Sequence, residues 1–191
     1  MSDSPRLPPG HCVLAVCGHR DAGKTTLLEA TVQRLAARGR HVAWMKQTDK
    51  PIHVDQPGKD SDRLFRAGAT VSMTGHGETL LRQRAAGESR TMRSLNRLAR
   101  AHDILLIEGG KHLPVPKVWL AKLGEPDPPP DVPGVIEVLP WSAGRETRLD
   151  ELVEREHRDR CQVLPVERHA GGERRREQVR ERDDDLVRVA L

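Results

Sequence analysis

The sequence predicts a three-layer α/β fold, a mostly parallel sheet flanked by helices with an antiparallel β-hairpin extension. Three observations point there. Residues 12–17 (CVLAVC) and 103–107 (DILLI) are short, almost wholly apolar runs, the pattern of strands buried on both faces of a parallel sheet. A strand, helix, strand order occupies residues 12–46, which is one βαβ unit. Between that first strand and its helix lies the glycine-bearing stretch 18–25, at the carboxyl edge where such sheets bind ligands.

The elements follow in order. From Lys24 to about Arg38, Leu28, Val32 and Leu35 recur at helical spacing, and Gly39 stands where a C-terminal cap belongs. Residues 41–46 (HVAWMK) read as the second strand. Pro51, Pro57 and Gly58 make 47–59 a loop, running into a helix near 60–68. Residues 70–73 and 78–82 flank Thr74-Gly75-His76-Gly77 and predict the hairpin. Met92, Leu95, Leu98 and Ala99 mark another helix, followed by the 103–107 strand ending at Glu108-Gly109-Gly110. Val115–Ala121 reads as a strand, with Pro116 placing it at a sheet edge or making its start ragged. Five prolines and three acids make 125–133 a loop, and 135–139 is a final strand. Residues 168–185 carry six Arg and six acids with almost no apolar side chains, so we expect one domain over 1–165 and a charged, disordered tail at 166–191.

Composition narrows the function classes. The 191 residues suffice for one core, which must be aliphatic because the chain has one Phe, three Trp and no Tyr. Three cysteines cannot all pair, and Cys12 and Cys17 fall on opposite faces of one strand, so they read as reduced small hydrophobes. No apolar run approaches the roughly 20 residues of a membrane span, which predicts a cytoplasmic protein with no membrane partner. The formal charge of +4 is spread among acids, and no aromatic and basic residues alternate, so nucleic acid is not an expected partner.

Gly18-His19-Arg20-Asp21-Ala22-Gly23-Lys24-Thr25 matches G-x-x-x-x-G-K-[ST] in the strand-to-helix context the motif requires. The fold is therefore expected to be that of a P-loop NTPase. The glycines permit a turn whose backbone N–H groups face phosphate oxygens, Lys24 brings a point charge to the β/γ-phosphates, and Thr25, next to Thr26, offers a hydroxyl to Mg2+. Glu108, at the end of a neighbouring strand, is the expected second Mg2+ ligand or water-positioning carboxylate. Lys24 and Glu108 are thus the expected catalytic residues, and Arg20 is the one candidate arginine finger, acting across a dimer interface. Lys111 and His112 follow Glu108 on the same loop, within reach of phosphate or a partner or simply solvated, while Asp49, Asp55, Lys59 and Asp60 lie after the second strand, where they read either as a segment that responds to nucleotide, as in P-loop proteins, or as a surface acid cluster. No Asn-Lys-x-Asp occurs, so the motif indicates a nucleoside triphosphate without its base.

Taken together, GHRDAGKTTLLE, VDQPGKDSDRLFRAGA (54–69) and IEGGKHLPVPKVWL (107–120) resemble the molybdopterin-guanine dinucleotide biosynthesis protein B (MobB) family over about residues 12–140. The resemblance implies a GTP-binding protein with weak GTPase activity and Mg2+ as cofactor. It implies an adapter role in attaching GMP to molybdopterin, a homodimer, and association with the nucleotidyltransferase of that pathway. It places Gly23, Lys24, Thr25 and Thr26 at phosphate and Mg2+ positions and Glu108 and Gly109 in the second acidic motif. It places Asp55, Gly58, Lys59 and Asp60 in an intervening signature and Lys111, His112, Pro114, Pro116 and Lys117 in a later one. The chain departs from the family where members commonly carry K-H-x-H-H-D, reading Lys46-Gln47-Thr48-Asp49-Lys50-Pro51 instead. Two other readings stand beside this one. A small-molecule kinase would want an Arg-rich lid, and a metal-insertion GTPase would want clustered His or Cys near 47–60, where only His53 stands.

Overall fold

In a computed structural model, residues 10–48, 50–84, 88–125 and 127–162 are described. The expected tail and Asp49 lie outside them. The main sheet has five strands: β1 (Cys12–Gly18), β2 (Val42–Lys46), β5 (Ile104–Glu108), β6 (Lys117–Leu120) and β7 (Val135–Leu139), in the order β2-β5-β1-β6-β7. Every pairing in it is parallel. β1 and β5 are buried at every position, as their unbroken apolar runs require of central strands covered on both faces.

Three layers follow from what each face of the sheet must cover. On one face, Leu14, Val16, Leu106 and Leu120 pack with Leu28 and Leu35 of α1 (Lys24–Ala37) and with Leu149, Leu152 and Val153 of α4 (Arg145–Gln162). On the other, Val13, Ala15, Leu105, Ile107 and Trp119 pack with Met92, Leu95 and Ala99 of α3 (Glu88–Ala101). Cys12 belongs to the first cluster and Cys17 to the second, so the two thiols do lie on opposite faces. A separate antiparallel pair, β3 (Val71–Gly75) and β4 (Glu78–Arg82), turns tightly through His76 and Gly77, both at positive φ, and packs on α2 (Asp60–Ala67).

Of the two readings of Pro116, the ragged start is the one the structure takes: β6 is not an edge strand but lies between β1 and β7 and begins after Pro116, whose carbonyl still accepts a ladder bond of 2.9 Å from the Ala15 N–H. Residues 145–162, where the sequence pattern predicts no element, form α4. Leu149, Leu152 and Val153 have helical spacing, but they are embedded in a segment otherwise dominated by acids and bases. One of those acids is itself buried: Asp150 pairs with Arg34 of α1, including an Nη2–Oδ1 bond of 3.1 Å.

Candidate functional site

The parallel sheet brings Gly18, Glu108, Leu120 and Leu139 to one edge, and the loops leaving that edge build the site. β1 ends at Gly18, where φ is 154° and an added Cβ would meet the Leu120 carbonyl oxygen at 2.7 Å. Only glycine lets the chain turn so close to β6. The loop then takes positive φ at Asp21 (62°) and Gly23 (76°), backbone of the kind from which anion-binding nests are built, and α1 starts directly from it. Ala22 is buried beneath the turn, whereas the Arg20 side chain is 87% exposed and paired with Asp21.

Lys24 reaches back over this turn. Its ammonium donates to the carbonyls of His19 (2.7 Å) and Gly18 (3.2 Å). Partial burial pushes its pKa down; Glu108 opposes that shift and Lys111 reinforces it. Beside the loop, the Thr25 hydroxyl donates to Glu108 Oε2 at 3.1 Å, while Lys46 Nζ lies 3.0 Å from Glu108 Oε1. Glu108 is buried at the end of β5, and Lys46 ends β2 in register with it. A hydroxyl and a carboxylate meeting beside this loop make a hard-oxygen pair that could hold Mg2+.

The loop after Glu108 is pinned from both sides. Gly109, at φ 86°, lies so close to β2's exit that an added Cβ would be 2.8 Å from the Gln47 carbonyl oxygen. Cys17 donates its thiol proton to the Gly109 carbonyl at 3.1 Å, and burial raises its pKa to about 11. Lys117 is fully buried, and its ammonium donates to the carbonyls of Leu113 (2.6 Å), Pro133 (2.8 Å) and Val115 (3.0 Å). Three protons meet three acceptors, which compensates a charge whose burial depresses its pKa. Lys111 sits 5.2 Å over the Trp119 ring, against which His19 also stands edge-on, and His19 Nδ1 lies 3.2 Å from Glu125.

The structure gathers Gly18 to Thr25, Glu108, Gly109 and Lys111 at one place, with Thr26 exposed on the first turn of α1. Asp55, Lys59 and Asp60 make their contacts around α2 and β4. Lys59 caps α2 and Asp60 opens it, while Asp55 pairs with Arg82 of β4 at 3.4 Å. Among the described residues no hydrogen bond or ion pair joins these three to residues 18–25. The centre of that second cluster is Asp62, which accepts from the Gly58 N–H (3.0 Å), Arg66 (2.8 Å) and Arg82 (3.1 Å).

Sequence reasoning missed three features at these two places. Lys46 could have been found by noting that parallel neighbours ending in Lys and Glu present opposite charges at one edge. The Asp62–Arg82 pair carries no local signal, because its partners meet only when the hairpin folds onto α2. Arg145, at the start of α4, donates to the Ala22 carbonyl at 3.1 Å and stands 5.0 Å over the Trp141 ring.

Comparison with known proteins gives a consistent picture. The family model for molybdopterin guanine dinucleotide synthesis protein B matches residues 13–139. The chain is 33% identical over 125 residues to the molybdopterin-guanine dinucleotide biosynthesis adapter protein of Haemophilus influenzae, covering 63% of this chain and 68% of that one. It is also 33% identical over 116 residues to the Escherichia coli adapter protein, covering 59% of this chain and 66% of that one. The crystal structure of Bacillus subtilis MobB superimposes with a TM-score of 0.58 at 22% identity, over 76% of this chain and 97% of that one. A MobB homolog from Bacillus stearothermophilus does so at 0.57 and 20% identity, over 78% of this chain and 99% of that one. At such identities the superpositions speak to the fold.

Proposed function

The chain belongs to the MobB family of molybdopterin guanine dinucleotide synthesis proteins, and on that premise we propose that it is a GTP-binding adapter for that synthesis. The observation that carries the nucleotide half of this reading is the contact between Thr25 and Glu108 beside a nest of backbone amides. In this reading the amides of residues 18–25 and the positive end of α1 hold the β- and γ-phosphates. Lys24 moves its ammonium from the Gly18 and His19 carbonyls onto phosphate oxygens. Thr25 and Glu108 would hold Mg2+, which would supply positive charge against the β- and γ-phosphates. Lys46 balances the Glu108 carboxylate, and Lys111 adds positive potential above Trp119.

Hydrolysis in this scheme is slow. Arg20 points to solvent and pairs with Asp21, so it stabilises no transferring phosphoryl group within its own chain. The adapter role comes from the family, since the relatives at 33% identity are named for it. It implies association with the pathway nucleotidyltransferase in the cytoplasm, and no helix of the described residues is long and apolar enough to cross a membrane. A homodimer is supported by the hairpin, which among the described residues has only two strands and leaves Leu64, Met73 and Leu81 exposed nearby.

Calorimetric titration with GTP and with ATP, each with Mg2+, tests the reading. GTP should bind more tightly than ATP, and Lys24→Ala should weaken GTP at least about tenfold, with an unchanged circular dichroism spectrum. Equal affinity for the two nucleotides would remove the guanine assignment, and an unaffected variant would remove the phosphate site.

A further inference from the structure

We propose that Trp141 is the nucleobase platform of the phosphate site, so that the site takes a nucleoside triphosphate in preference to a bare polyphosphate. This rests on the nucleotide-binding reading above. Both Trp141 and its neighbour Arg145 lie beyond residues 13–139, so membership of the family assigns them nothing.

The topology supplies the placement. β7 runs parallel to β6 and β6 to β1, with Gly18, Leu120 and Leu139 in one register row, so the segment after Leu139 leaves the sheet at the phosphate edge. Trp141 is the second residue of that segment. Its Cζ3 lies 3.9 Å from the position a Cβ on Gly23 would occupy, which sets the ring against the backbone where the nest becomes α1. Arg145 fixes the ring there. Its guanidinium stands 5.0 Å from the ring centroid and its Nη2 is tied to the Ala22 carbonyl, so one cation links the indole to the loop.

The indole remains 55% exposed in that position. Held there, the ring offers a partly exposed π-face beside the loop on which a base can stack. Of the chain's Phe and Trp side chains, Trp119 is fully buried, Phe65 lies under Arg82 on α2, and Trp44 sits on β2. Trp141 is therefore the exposed aromatic ring beside the nest. On the other side of the loop stand Lys46, Glu108 and Lys111, which suit phosphate and cation rather than a base. Stacking tolerates any base because every base has a π-face, so Trp141 selects for a nucleoside and leaves the choice of base to other groups.

The test is calorimetry on the full chain with GTP, ATP and inorganic tripolyphosphate, each with Mg2+, using the wild type, Trp141→Ala and Trp141→Phe. Trp141→Ala should weaken GTP and ATP alike by about tenfold while tripolyphosphate changes by less than about twofold, and Trp141→Phe should retain most of the nucleotide affinity. Unchanged nucleotide affinity in Trp141→Ala overturns the platform, as does a parallel loss of tripolyphosphate or a wild type that binds tripolyphosphate as tightly as GTP. Those results leave the phosphate site standing. A wild type that binds none of the three overturns the nucleotide reading itself, and the platform with it.

Discussion

At Gly18 the backbone passes so close to β6 that a single methyl group would sit 2.7 Å from the Leu120 carbonyl oxygen, at a φ that side chains avoid. Gly18→Ala should therefore lower unfolding free energy by about 1–3 kcal/mol, read from urea denaturation, as well as weakening triphosphate binding. A variant as stable as the parent would show that the loop can relax away from β6. Residue-scale chemistry at this loop was largely legible, because glycine spacing, lysine and hydroxyl follow one another along seven or eight positions of a continuous chain. Trp141 was not legible. Its role depends on which loop is brought beside the nest, and that is decided by strand order, which no local pattern carries.

The unit formed by α2 and the β3–β4 hairpin is held by charge. Asp62 is buried, and its carboxyl is depressed from 3.8 to about 2 by the Gly58 N–H, then by Arg66 and Arg82. A carboxyl whose folded pKa lies below its unfolded value gives stability that is fully present above about pH 4 and is lost as pH falls through about 2. Hydrogen exchange at the β4 amides should accordingly quicken, relative to the main sheet, as pH is lowered through that window, once the intrinsic pH dependence is removed. Asp62→Asn should show faster exchange already at neutral pH and a flatter acid response. If exchange at β4 tracks β1 in both proteins, the salt-bridged cluster does not hold the arm. Of this unit, helix and hairpin were readable from glycine turns and acid-rich starts. The clasp itself was not, since Asp55, Asp62 and Arg82 are separated in sequence by up to 27 positions.

For the whole molecule, α4 closes the apolar face that α1 leaves open over β1. Leu152 is buried in that cluster, so Leu152→Ala should cost about 2–5 kcal/mol of global stability, measured by denaturant unfolding, with a single cooperative transition retained. A loss below about 1 kcal/mol would mean that α4 is only loosely docked. The doubly buried strands β1 and β5 were plain in the sequence because an unbroken apolar run has few other homes, whereas α4 hid its three apolar contacts among charges, one of them the buried Asp150. Strand order has one more consequence. Among the described residues, the sheet neighbours of β1 are β5 and β6, which begin at residues 104 and 117. Until those later strands are available, this doubly buried apolar segment has no ladder to join, so the centre of the sheet closes only through contacts distant in sequence, which slows its assembly.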